Sequence, residues 1–473
     1  MTSRQTAPLL LAPVVLALAA AFPGAALAQS SDELLKELRA LKEKVAELEK
    51  KLEARPAATS TSAATTGERQ WGMTPEQVAE LNRVAVKAEA LEDGRDAAGL
   101  KLLKISGYMD PTFMYNRAQD RAGFQFLNRV ADDGYNYDNS YFGAAVIDFQ
   151  KETDSGTRWR LTLAPNRGVG SVFDGTSPVH EASVSVPLGD LQTRFIAGQI
   201  PDWSGYEYLQ PTLNKLITHN LLFDFTLPTA YTGAGLELTR GKWLSKVVLA
   251  NVNAAKKSSG NKSPALAYRV DYSKGEFQGF GFAGVHGKVA NFKADEVDET
   301  TGDALFPNDA GKDTMAHLFE IDAYFIRGDV TWQGQLSVGK QKKAAVTADP
   351  VTGELRDSQW VGLSTLFAYK WMPRFETTAR FDYIRNQKNG GGLLGYTAAD
   401  GRNGIGPDAA GDAEKGANRM ALTAGASYLW DLNTTFKAEY RLDRANLPVF
   451  EYVKDGLFKK SNQIFGASVL VSF

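Results

Sequence analysis

From Leu103 to the C-terminus, apolar and polar positions alternate with a period of two. Ile105, Gly107, Met109, Phe113 and Tyr115 alternate with Ser106, Tyr108, Asp110, Thr112 and Asn116. Tyr141, Gly143, Ala145, Ile147 and Phe149 form a second series, and Trp159, Leu161 and Leu163, set against Arg158, Arg160 and Thr162, a third. Side chains of a strand point to its two faces in turn, so each segment reads as a strand with one apolar face. In the last segment Phe465, Ala467, Val469, Val471 and the terminal Phe473 share one face, and Ile464, Gly466, Ser468, Leu470 and Ser472 the other.

The connections sort by length. Seven are tight: Asp154-Ser155-Gly156, Leu188-Gly189-Asp190, Arg240-Gly241-Lys242, Lys274-Gly275-Glu276, Arg327-Gly328-Asp329, Met372-Pro373-Arg374 and Asp431-Leu432-Asn433. Between them fall long polar links, among them 117–139, 198–229, 289–313, 344–357, 387–416 and 447–460. Short and long links in strict succession predict an antiparallel transmembrane β-barrel of about 16 strands over residues 103–473. A water-soluble sandwich has no reason to sort its links this way, and a propeller repeats every four strands.

Ahead of the strands the period lengthens. Leu34, Leu38, Leu41, Val45, Leu48 and Leu52 follow spacings of four and three, an a/d seam that predicts a coiled coil over 29–53. With Leu38 at a, parallel pairing sets Glu37 against Lys42 and Lys44 against Glu49, both attractive, so this seam is the expected oligomerisation element. Residues 54–73 form a Pro/Ala/Ser/Thr linker. Thr74-Pro75-Glu76-Gln77 then supplies an N-cap, a first-turn proline and a capping-box glutamine. A helix is predicted over 74–94, ending at Gly94, and it closes the periplasmic mouth, plugs the barrel or packs beside the first strand. Residues 1–28 read as a secretory signal, with Arg4, an apolar run from Leu9 to Phe22, and Ala26-Leu27-Ala28 for cleavage.

Composition narrows the class. A net charge of −2 with 23% charged residues gives no basic field for nucleic acid. A mean hydropathy of −0.28 is too polar for a bundle of membrane helices. It suits a barrel, which needs apolar residues only at alternate positions. With no cysteine there is no disulfide, thiolate metal site or lipid-modified N-terminal cysteine.

By parity the polar face carries Asp148, Glu152, Arg158, Arg160, Glu181, Arg194, Glu237, Arg269, Asp271, Glu320, Asp322, Glu376, Arg380, Asp382, Lys437, Glu439, Arg441 and Asp443. A wide barrel leaves an aqueous channel, and opposed basic and acidic walls orient dipolar solutes with little net ion preference. The same charges, paired across the interior, stiffen a barrel without lining a pore. The link 198–229 is the candidate constriction, with Asp202, Trp203, Tyr206, Glu207 and Tyr208 leading it and Phe223, Phe225, Lys215, His219 and Asp224 behind. So much aromatic surface needs burial, either inside the barrel, at a subunit interface or across the extracellular mouth. The acidic stretch 295–303 lacks the spaced ligands of an EF-hand. The glycines at 390–392 precede no Lys-Ser/Thr. The four histidines (His180, His219, His286, His317) fall in no catalytic or zinc spacing, and there is no Gly-x-Ser-x-Gly.

The order of signal, coil and linker, then Ile105-Ser106-Gly107-Tyr108-Met109-Asp110, resembles OmpL-like porins and an uncharacterised proteobacterial outer-membrane porin family with an N-terminal coiled coil. Ala197-Gly198-Gln199-Ile200-Pro201, Trp203 and Gly205-Tyr206-Glu207 resemble the strand end and inward-turning loop of such porins, and Phe473 resembles the signal read by the barrel-assembly machinery. The resemblance implies an outer-membrane barrel among lipids, its arm in the periplasm, passing small hydrophilic solutes passively. It favours a homo-oligomer, a trimer first, with no cofactor and no enzymatic role. A non-conducting tethering barrel is the alternative, and a barrel-embedded hydrolase stands behind it.

Overall fold

The computed structural model describes residues 75–126, 143–164, 178–228, 230–252, 264–275, 277–298, 300–394 and 404–473. The signal segment, the leucine seam from Leu34 to Leu52 and the linker lie outside them. The chain divides into two compact units, whose described parts are residues 75–104 and 105–473.

In the first unit, helix α1 spans Pro75–Ala97 and starts on the proline whose fixed φ suits a first turn. It runs through Gly94, the expected stop, because one interior glycine costs only about 1 kcal/mol. The stop is Gly99, at φ +71°, where Gly99 N donates to Asp96 O at 3.0 Å and Leu100 N to Arg95 O at 2.8 Å. A left-handed glycine there satisfies the last carbonyls.

In the second unit the strands run β1 (Leu103–Met109), β2 (Thr112–Asn116), β3 (Arg121–Gln125), β4 (Ala145–Glu152), β5 (Arg158–Leu163), β6 (Val179–Leu188), β7 (Asp190–Pro201), β8 (Ala230–Arg240), β9 (Trp243–Val252) and β10 (Ala265–Ser273). They continue as β11 (Gln278–Val289), β12 (Thr314–Arg327), β13 (Val330–Gln341), β14 (Ser358–Met372), β15 (Phe375–Arg385), β16 (Arg419–Leu429), β17 (Thr434–Ala445), the small hairpin β18 (Phe450–Tyr452) and β19 (Leu457–Lys459), and β20 (Ser461–Ser472). Apart from the hairpin, eighteen strands share one antiparallel sheet. They make sixteen staves, because β1 with β2 and β3 with β4 each form one. The sheet closes where β20 pairs β1 (Met109↔Val471) and β2 (Phe113↔Ala467).

Two staves are broken, each for a local reason. Pro111 lacks an N–H, and the Asp110 carboxylate beside it accepts from Gly143 N at 3.1 Å and Ala144 N at 2.5 Å, pinning the neighbouring stave. The second break corrects the sequence reading of 117–139 as a single link. The chain turns back after Asn116, and β3 pairs at once with β2 (Tyr115↔Ala122). Phe124 is the one large apolar residue of β3, too little to show a period of two.

Every second side chain turns outward and is exposed, including Ile105, Trp159, Leu236, Phe319, Leu336, Phe436, Phe465 and Phe473. The alternate positions turn inward and most are buried, among them Asp148, Arg269, Glu320 and Arg441. The seven tight turns all lie at one rim, the turn end, and the long links at the other, the loop end.

Candidate functional site

The link after β7 folds into the barrel. Asp202 starts the descent: its carboxylate accepts from Ser204 N at 3.0 Å, Ser204 Oγ at 2.9 Å and the Tyr231 hydroxyl. Burial pushes the Asp202 carboxyl up to about 6, against the opposing pull of those hydrogen bonds. Farther along, the Asn220 side chain accepts from Phe223 N at 2.8 Å and caps α2 (Leu221–Thr226), a single turn whose Leu221 and Leu222 are wholly buried.

Wall charges hold this loop. The Arg380 guanidinium donates to Glu207 at 2.7 Å, to Thr218 O at 2.7 Å and to His219 O at 2.8 Å. Glu439 accepts from Ile217 N at 2.6 Å and Thr218 N at 3.1 Å, and Arg441 donates to His219 O at 2.8 Å. Nearer the turn end, Lys215 pairs with Glu376 at 2.8 Å, and Lys437 donates to Pro211 O at 2.7 Å and Asn214 O at 2.5 Å. Tyr206 meets the Ser364 hydroxyl at 2.6 Å. The wall also makes room: a Cβ at Gly362 would collide with Leu222, and one at Gly425 with Leu216.

The interior therefore has two halves. At the loop end, Leu221, Leu222 and Phe225 pack with Leu393, Leu394 and Ile405 against inward Val248, Val252, Ala265, Val285, Leu318, Trp360 and Ile384. At the turn end a cavity of about 340 Å³ lies under the loop, lined by Trp203, Tyr206, Tyr208, Lys215, Lys246, Arg269, Asp271, Asp322, Glu376 and Lys437 among others.

The side chains chosen by parity all turn inward, most of them paired. Arg160 meets Asp148 at 2.7 Å and Glu181 at 3.1 Å. Arg269 meets Asp271 at 2.6 Å and donates to Asp322 at 2.9 Å, while Glu320 accepts from Gln335 at 2.7 Å. Asp382 joins Arg380 at 3.1 Å, Asp443 joins Arg441 at 3.2 Å, and Arg194 donates to Ser185 at 2.6 Å. Arg158 and Glu152, 3.1 Å apart, remain about a third exposed. Where the sequence suggests water along these walls, the side chains of Arg380, Asp382 and Arg441 are enclosed at 0% exposure. The loop that the charges hold is also what covers them. Phe473 turns outward, its N–H donating to Gly107 O at 3.0 Å.

Two interior cations escaped the sequence reading. Lys246 lies 3.5 Å from Glu237 and 5.7 Å over the Trp203 ring. Its parity in β9 marks it as inward. Arg419, 2.7 Å from Asp443 and 5.2 Å over Phe225, opens β16 directly after a long link, where no alternation precedes it. The histidines at 286 and 317, far apart in sequence, face each other across β11 and β12 with Nδ1 atoms 3.2 Å apart.

A family model described as "Protein of unknown function (DUF3138)" matches residues 10–473. The chain belongs to that family. No curated protein matches it. Among solved structures it is similar to OmpT, an outer membrane protein of Vibrio cholerae folded in vitro, with TM-score 0.50, 11% identity, and coverage of 78% of this chain and 97% of that one. The trimer form of the same protein matches with TM-score 0.50, 11% identity and coverage of 78% and 99%. An anion-selective porin from Comamonas acidovorans follows with TM-score 0.47, 11% identity and coverage of 78% and 99%. The shared feature is the closed sixteen-stave antiparallel barrel of outer-membrane proteins.

Proposed function

We propose that this chain is an outer-membrane porin that passes small hydrophilic solutes or ions passively through its barrel, with the loop 202–228 as constriction. One observation carries the reading: a closed barrel that is apolar outside and charged inside holds a loop in its interior through Arg380 and Glu439. An exposed apolar belt around a whole barrel calls for lipid rather than water. The charged turn-end interior and the cavity beneath the loop offer the route a polar vestibule, and passage beyond it calls for the loop to shift out of the loop-end packing. Arg158, Arg160, Arg194, Arg269, Asp271, Glu320, Asp322, Glu376, Arg380, Asp382, Lys437, Glu439 and Arg441 line or brace that route, and Asp202, Trp203, Tyr206, Glu207 and Tyr208 narrow it. In this reading the turn end and the N-terminal arm face the periplasm, as in the OmpL-like porins the sequence resembles. Phe473 is the assembly signal, and the leucine seam joins the chains of a homo-oligomer, a trimer first.

The mature protein reconstituted in planar bilayers should give discrete current steps, and the reversal potential in asymmetric salt should be small because both charge signs line the route. Currents no larger than those of blank bilayers contradict the porin reading. They favour a non-conducting barrel, for which the enclosed Leu221, Leu222 and Arg380 are the specific support. Deleting residues 29–69 should weaken the oligomer on semi-native gels and spare the barrel. Oligomers unchanged by that deletion contradict the assignment of the seam.

A further inference from the structure

On the outer face of the barrel, near the loop end, basic side chains gather on three adjacent strands. His286 of β11 is the register partner of His317 of β12, and His317 is the register partner of Lys340 of β13. Register partners sit about 4.5–5.5 Å apart at Cβ. Lys288 stands two residues beyond His286 on the same face of β11. His317, Lys340 and Lys288 are exposed, and His286 is half-buried. Directly below, toward the turn end, the outward residues are apolar: Phe282, Phe319, Ile321, Leu336 and Val338. The group thus marks the rim where the apolar belt ends.

The two imidazoles are held in place. Tyr268 Oη lies 3.2 Å from His286 Nε2, and His286 Nδ1 lies 3.2 Å from His317 Nδ1. One hydrogen shared between the Nδ1 atoms leaves Nε2 of His317 and Nζ of Lys340 as the remaining donors. Two imidazole nitrogens at that distance also suit a divalent cation, but the flanking groups decide against one. Lys340 raises the local potential beside His317, and the next register partner, Gln359, is neutral. A positive field with N–H donors selects an anion. The matching outward rung on β7, β8 and β9 is Gln199, Thr232 and Asn251, which carries no charge. Outward Arg385 of β15 and Arg444 of β17 are also exposed near the loop end, but they are not register partners of each other.

We propose that His317 and Lys340, with His286 holding the His317 ring in place, bind the phosphate of an anionic lipid headgroup at the loop-end rim. The proposal rests on the membrane placement given above, not on conduction. The full mature chain is inserted into phosphatidylcholine nanodiscs containing a minor fraction of dioleoylphosphatidic acid, and the lipids it retains are counted by native mass spectrometry. Wild type should retain phosphatidic acid in preference to phosphatidylcholine, and His317→Gln with Lys340→Gln should lower that preference by about fivefold or more, the fivefold for the one cation removed, Lys340, and the rest for the lost imidazole N–H donor. Raising the salt should lower it for the wild type alone, a readout that needs no variant. Equal retention by wild type and variant overturns the proposal, as does wild-type retention insensitive to salt. Loss of retention on adding EDTA also overturns it, since a bridging cation would then make the contact. A chain that fails to enter the bilayer contradicts the membrane placement instead, and gel mobility of the inserted barrel tells the two failures apart.

Discussion

The two halves of the barrel interior are built from the same strands and differ in what fills them. At the loop end, inward Val248, Val252, Ala265, Val285 and Leu318 meet Leu221, Leu222 and Phe225, and the packing resembles the core of a soluble domain. At the turn end the inward positions of those strands become Lys246, Arg269, Asp271 and Asp322 around a cavity. The Arg380–Glu207 ion pair and the hydrogen bonds that Glu439 accepts from Ile217 N and Thr218 N hold the loop between the halves. One half is filled with packed side chains and the other encloses a cavity. A polar interior alone does not make an open channel, because charges that pair with a loop also hold that loop in the way.

The comparison breaks most sharply at the ion pairs. Arg380→Ala strands Glu207 and Asp382 in an enclosed site, and removing one partner of a buried pair costs about 3–5 kcal/mol. The heat-induced gel shift of the folded barrel should fall markedly, and the surviving barrels should conduct with larger, noisier steps. Leu222→Ala acts on the apolar half alone and should cost about 3 kcal/mol through the cavity it leaves. Its steps should resemble wild type if the loop's position depends on the pairs, and should grow if it depends on packing. Gly362→Val attacks the same contact from the wall and costs about 1–3 kcal/mol by overpacking. It should raise conductance by pushing α2 off β14.

Acid should tighten the loop. The Asp202 carboxyl titrates at about 6 in the folded chain against a usual 3.8, so folding favours its protonated form. The stabilisation is present at low pH and is lost as pH rises from about 4 through about 6, about 3 kcal/mol in full. Limited proteolysis of the loop should slow between pH 7 and pH 5, and Asp202→Asn should flatten that dependence. The smallest effect belongs to the vestibule. Glu376→Gln breaks a partly exposed pair with Lys215, worth less than about 1 kcal/mol, and should shift the reversal potential toward anions without moving stability.

Much of this is legible in the sequence. Alternation fixes which side of each stave a residue takes, so Arg269, Glu320 and Arg441 were placed by counting in twos. The seven tight turns give the rim, because glycines such as Gly189 and Gly241 sit there at positive φ. The packed half was not legible, and the reason is specific. In the loop-end halves of β9 to β12 the inward residues are Val248, Ala250, Val252, Ala265, Ala267, Val285 and Leu318. There the inward face is apolar as well, so polar residues no longer mark it and the alternation fades. The partner of those positions, α2, lies in a link remote in sequence. The His286–His317 contact was hidden for a related reason: it depends on the register between two strands joined by a long loop.

The central claim is that the inward loop sets the passage through the barrel. Single-channel recording of the wild type beside a variant in which residues 204–226 are replaced by a short Gly-Ser link tests it directly. Discrete steps are expected in the wild type, and several-fold larger steps in the variant. Steps of equal size in the two proteins, or silence in both, would contradict it.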